Sequence, residues 1–133
     1  MYFLSERRRS ELIKCLTELS MPIDMARRFA SYSDDLSQLD KILSDVVGRM
    51  NERCNRLSEA AQSGNEQQRR NHDACLQADL MIFRTYADEL TEREPQTLMM
   101  LPKTARAVAA ILAEIDKCNG AILEAMGKRG ALH

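Results

Sequence analysis

Apolar residues recur at alternating gaps of three and four through Phe29, Tyr32, Leu36, Leu39, Leu43, Val46 and Met50. The series continues past Arg53 to Leu57 and Ala60. This spacing returns side chains to one side of an α-helix and predicts a long helix with a partner-facing seam. Ile42, Val47, Cys54 and Ala61 flank the seam and widen it. A two-stranded coiled coil needs only a narrow stripe, so the broader face predicts a helix packed against two neighbours in a bundle. Arg53 is the one seam residue out of character, and a guanidinium there needs a carboxylate, water or an open edge.

The same reading places three further helices. Residues 5–19 share a face through Leu12, Cys15, Leu16 and Leu19, with Ser5 as N-cap and Glu6 near the positive helix end. Ser20-Met21-Pro22 ends this helix, and Pro22 suits the first turn of the next. Ser33, followed by two aspartates, could cap a fresh helix. The heptad register does not slip there, however, so one continuous or slightly kinked helix is predicted over 22–61. Gln62-Ser63-Gly64-Asn65 is the clearest turn, because Gly64 can take the left-handed conformation that closes a helix. A helix over 66–93 follows, with a seam of Leu76, Leu80, Phe83, Ala87 and Leu90 and two polar opening turns. Pro95 stops it. Leu98, Met99, Met100 and Leu101 form an apolar connector that either tucks over the bundle or serves as an exposed hook. A final helix over 102–126 carries Leu101, Ala105, Val108, Leu112, Ile115, Asn119, Ile122 and Met126 on one face, and Gly127 to Gly130 closes it. Asn119 either fixes the register of a partner or meets water near a fraying end.

The expected fold is therefore all-α: an elongated antiparallel helical bundle of three long helices plus a short N-terminal helix, forming a single domain over 1–133. Composition agrees, with five Gly and three Pro in 133 residues and no Trp. The formal net charge of −1 gives no global attraction to nucleic acid or an anionic membrane. No apolar run is long enough for a transmembrane segment. The N-terminal order, apolar residues before Arg7-Arg8-Arg9, is the reverse of a secretory signal, so a cytoplasmic or otherwise intracellular location is expected. Beside Phe3 and Leu4, the arginine cluster is either a membrane-surface anchor or a solvated helix face. Cys15, Cys54, Cys75 and Cys118 lie far apart and are most simply small hydrophobes.

Catalytic chemistry finds no foothold. His72 and Cys75 are one turn apart, but no second close pair completes a zinc set. Neither His72 nor His133 follows a Glu at the di-iron spacing. No Gly-rich phosphate loop, Gly-x-Ser-x-Gly or paired carboxylate is present. No cofactor, metal or small-molecule substrate is expected, and no enzyme activity. The seam helix, longer than its successor, instead predicts a partly uncovered face. The expected function is a protein–protein interaction module: a helical subunit, adaptor or chaperone that packs against itself or another helical protein. Its binding residues would be Phe29, Tyr32, Leu36, Leu39, Leu43, Val46, Met50 and Arg53, with Leu98, Met99, Met100 and Leu101 as a second surface. The alternative is a helix-turn-helix DNA-binding regulator over 12–39, with Arg27 and Arg28 on phosphate. Asp34, Asp35 and Asp40 on its recognition helix would repel DNA.

Overall fold

The computed structural model describes residues 1–96 and 100–114. The chain is all-α and forms a packed helical bundle. Its elements are α1 (Glu6–Glu18), α2 (Ile23–Ala30), α3 (Leu36–Ser63) and α4 (Glu66–Arg93), followed by α5, helical over 102–114. An isolated antiparallel bridge joins Tyr2 to Ser33. Leu98, Met99 and the expected seam beyond α5 (Ile115, Asn119, Ile122, Met126) lie outside the described residues, as do Cys118, Gly127 to Gly130 and His133.

The continuous helix expected over 22–61 does not form. It breaks at residues 31–35 because the backbone there finds partners outside any helix. The Tyr32 N–H donates to the Tyr86 hydroxyl at 3.3 Å, and the Tyr32 carbonyl accepts from the Phe3 N–H at 3.0 Å. The Asp34 N–H donates to the Met1 carbonyl at 3.0 Å. Asp35, not Ser33, then caps the new helix: its Oδ1 accepts the N–H of Ser37 at 3.0 Å and of Gln38 at 3.3 Å. The unbroken heptad register favoured continuity, and long-range hydrogen bonding overrode it.

The break changes the length argument. α3 and α4 each have 28 residues, or about 42 Å at the α-helical rise. The seam helix and its neighbour are matched in length, so neither outruns the other. They form an antiparallel hairpin through Gly64, whose φ of 74° is the left-handed conformation. Asn65 caps α4 by accepting the Gln68 N–H at 3.1 Å.

The core joins Leu39, Leu43 and Val46 of α3 to Ile82, Tyr86 and Leu90 of α4. Leu12 and Leu16 of α1 and the small Ala26 and Ala30 of α2 complete its wall. Phe3 and Leu4 are inserted here at 1% and 3% exposure. That removes the membrane-anchor reading of the N-terminal segment, since its apolar pair is already buried. Arg8 of the neighbouring cluster is also committed, bonding both Glu89 and Glu92 of α4. The buried face of α4 is rotated from the expected seam. Ala78, Ile82, Tyr86 and Leu90 point inward, while Leu80 is 45% exposed. α5 is pinned at its start by Asp40, described below, and Leu112 on it faces outward at 55% exposure.

Candidate functional site

The break at 31–35 frees α2 to pack on α1, and the Phe29 ring comes to lie over α3. The anchor is Tyr86, which is fully buried and whose hydroxyl donates to the Phe29 carbonyl at 2.6 Å. Its ring stacks on Phe3 at 5.9 Å and lies 5.1 Å from Tyr32, which meets Phe29 edge-on at 6.1 Å. Aromatic pairs at such separations add about 0.5–1.5 kcal/mol each beyond burial. Burial pushes the Tyr32 hydroxyl up to about 12, against the opposing pull of Arg49, and Tyr86 is pushed higher still by the same cause. Both phenols stay protonated and act as fixed hydrogen-bonding groups rather than acids.

Between α2 and the α3–α4 hairpin this arrangement leaves a cleft of about 280 Å³. The α1–α2 turn supplies Leu19, Ser20, Met21 and Pro22, and α2 supplies Met25 and Phe29. α3 contributes Arg49 and Arg53, and α4 contributes Ala74, Cys75, Ala78 and Asp79. Ser20 holds a positive φ of 69°, which turns the chain sharply over the cleft mouth. Met25 and its neighbour Ile23 are 45% and 50% exposed. Methionine adapts its shape to what it meets and is over-used at binding surfaces. The alanines of α4 leave the space.

One wall is cationic. Arg49 and Arg53 stand one helical turn apart on α3. The Arg49 guanidinium lies 5.5 Å from the Phe29 ring centroid and reaches Asp79 Oδ1 at 3.4 Å. Arg53 Nη1 donates to His72 Nδ1 at 3.0 Å. A guanidinium cannot accept, so the imidazole supplies a lone pair here. This answers how a seam arginine is tolerated: a histidine of the facing helix meets it at the cleft edge. Asp79 is 8% exposed, and burial raises its carboxyl above the usual range despite the opposing pull of Arg49.

The expected binding residues separate into groups. Leu39, Leu43 and Val46 are at most 1% exposed and belong to the chain's own core. Leu101 is buried at 4%, and Met100 is half-buried. Tyr32, Leu36 and Met50 are partly buried against the core. Phe29 and Arg53, far apart on the expected continuous helix, are brought into one cleft. Met21, Met25 and Arg49 were not in the predicted set. The spacing of four from Met21 to Met25 to Phe29 is the signal that could have marked the methionines. Met50 and Cys54 instead line a larger groove, about 740 Å³, between α3, Leu76 of α4 and α5. The chain leaves the described residues at its rim, at residue 114.

Asp40 builds a second polar feature, a structural one. It is 6% exposed, and its carboxylate accepts the N–H of Thr104 at 2.8 Å, the N–H of Lys103 at 3.1 Å and the Thr104 hydroxyl at 2.8 Å. A side chain of α3 thus caps the N-terminus of α5. Burial pushes the Asp40 carboxyl upward, but the Thr104 and Lys103 donors outweigh it and hold the group below its usual range.

Among the described residues no three His, Cys, Asp or Glu side chains converge as a metal site would require. No described helix is long and apolar enough to cross a membrane. Comparison with protein-family models, with curated proteins and with solved structures finds no match to this chain.

Proposed function

We propose that this chain is a non-enzymatic protein-interaction module that receives a helical segment of another protein in the cleft between α2 and the α3–α4 hairpin. The observation that supports this reading is the cleft itself: a methionine- and phenylalanine-lined recess with an exposed apolar rim at Met25. Its volume falls below the roughly 300–1,000 Å³ of small-molecule sites and suits one or two inserted side chains. An apolar helix face laid over a groove is a recurrent mode of recognition. The reading shifts the expected interface from the middle of the seam, which the chain buries itself, to the Phe29–Arg53 region.

Photo-crosslinking tests it. A photoreactive residue at Met25 should give a discrete product in cells of the native source, and Phe29→Asp should erase that product. The same probe at the exposed Glu59 should give none. Diffuse labelling that is equal at both positions and insensitive to Phe29→Asp would remove the proposal. A product of twice the chain's mass would identify a second copy as the occupant. For the helix-turn-helix alternative, a mobility shift on duplex DNA at low salt is the discriminating measurement. The interaction reading expects no shift, since Asp40 of the candidate recognition helix is committed to α5.

A further inference from the structure

The cleft pairs an apolar floor with a cationic wall, and the balance of charge on that wall specifies the occupant further. We infer that the segment received there is an acidic amphipathic helix, one that places apolar anchors beside a carboxylate; this inference rests on the interaction reading above. Two guanidiniums line the cleft against a single acid, Asp79. That acid is buried, reaches Arg49 at a distance of 3.4 Å and feels the charge of Arg53 without a hydrogen bond to it. The hydrogen bond of Arg53 runs to an imidazole nitrogen rather than a carboxylate, while Asp79 and Glu52 feel its charge at longer range. Each guanidinium carries several N–H donors in a fixed fork suited to a carboxylate, and the contacts to Asp79 and His72 use few of them. His72 also orients the Arg53 head from the α4 side.

The geometry of the two walls matches one helix face. Met21, Met25 and Phe29 accept apolar side chains, and Arg49 and Arg53 stand across from them on α3. An incoming helix with apolar residues at i and i+4, and a Glu on the adjoining position, would meet both walls together. A Lys there would face two like charges, which disfavours basic segments. A nucleic-acid backbone is disfavoured, since the carboxylate of Asp79 stands beside the arginines and the rest of the lining is largely apolar. The cleft also lies away from α5. At about 100° per residue, Arg49 and Arg53 are on the opposite side of α3 from Asp40, Val47 and Asn51, which face α5.

The test uses the full chain and three fluorescent helical peptides that share a Leu-rich face and carry Glu, Gln or Lys at the adjoining position. Anisotropy titration should give the order Glu, then Gln, then Lys, with about a tenfold gap between Glu and Gln that narrows as salt is raised. Arg53→Gln, checked for native helicity and melting, should erase the Glu preference while Gln-peptide binding persists. Arg53→Lys should restore part of it. Met25→Asp should weaken all three peptides. Equal binding of the Glu and Gln peptides, with both lost in Met25→Asp, would overturn the acidic specificity and leave the interaction reading standing. Failure of all three peptides to bind would also overturn the inference, while the crosslink at position 25 would independently decide the broader reading.

Discussion

Tyr86 ties two segments of the fold together through one hydroxyl. It donates to the Phe29 carbonyl and accepts the Tyr32 N–H, so it holds the end of α2 and the start of the linker together. Tyr86→Phe keeps the packing but leaves both backbone groups without this partner. The expected loss is about 1–3 kcal/mol, measured by urea unfolding, and an unchanged midpoint would show that the hydroxyl is dispensable. Among the described residues the two buried aspartates, Asp40 and Asp79, oppose each other in pH. Asp79 has a raised carboxyl, chiefly from burial. Its folded form therefore holds a proton that the unfolded chain has released, and stability falls as pH rises from the unfolded value, about 3.9, through the folded one. Asp40 is depressed below its usual range: burial raises it, and the Thr104 and Lys103 donors prevail. Its contribution is complete above the unfolded value and is lost as pH falls through the folded one. Asp79→Asn should thus raise the neutral-pH urea midpoint, with the gain vanishing in acid. The 3.4 Å bond to a half-exposed Arg49 is too long and too solvated to reverse that sign.

At the scale of elements, α5 is the most separable helix. Of its described residues only Thr104 is buried, and Thr104 is held by Asp40 through its N–H and its hydroxyl. Asp40→Ala removes a cap worth about 0.5–2 kcal/mol. Amide exchange over 102–114 should accelerate in that variant while α1 and the Leu39–Val46 core keep their protection. If α5 keeps its wild-type exchange rates, the cap is not what attaches it. Asp40 also shows where sequence reading stops. It sits among acids on α3 and looks like part of a solvated face, and its actual role depends on a backbone 64 residues away. Local signals were legible: Ser5 caps α1, Gly64 closes α3 with a left-handed φ, and Pro95 follows the end of α4. Each of those residues acts on its own neighbours. The break at 31–35 was half legible, since the capping acid is local but the donors and acceptors that open the helix come from Met1, Phe3 and Tyr86. The heptad register crossing it was coincidental with respect to packing. For the site, Phe29 and Arg53 stood in the pattern, but their meeting required α2 to leave the line of α3, which periodicity cannot express.

The molecule as a whole is unevenly consolidated. On α3 the buried positions run from Leu39 to Val47, and the next is Ala60. On α4 none precedes Ala78. The α1 and α2 walls, the N-terminal segment and the aromatic cluster all gather at the end of the hairpin away from Gly64. Among the described residues, then, the half of the hairpin nearest Gly64 rests on α3–α4 pairing with little else behind it. Regions with few buried apolar contacts open at lower free energy than the global transition. Native-state exchange should therefore show a gradient, with amides of 53–74 opening below those of 39–47 and 78–90. Paired truncations give the same test in energy. Leu43→Ala empties a fully buried site and should cost about 2–5 kcal/mol. Leu57→Ala, at a half-buried seam position beyond Arg53, should cost much less, within about 1 kcal/mol. The comparison is informative in both directions because the two leucines share one seam and one helix. Equal costs at the two sites would mean that something outside the described residues covers the hairpin near Gly64, and the repeat of Leu57→Ala at several protein concentrations would distinguish a second copy from the same chain.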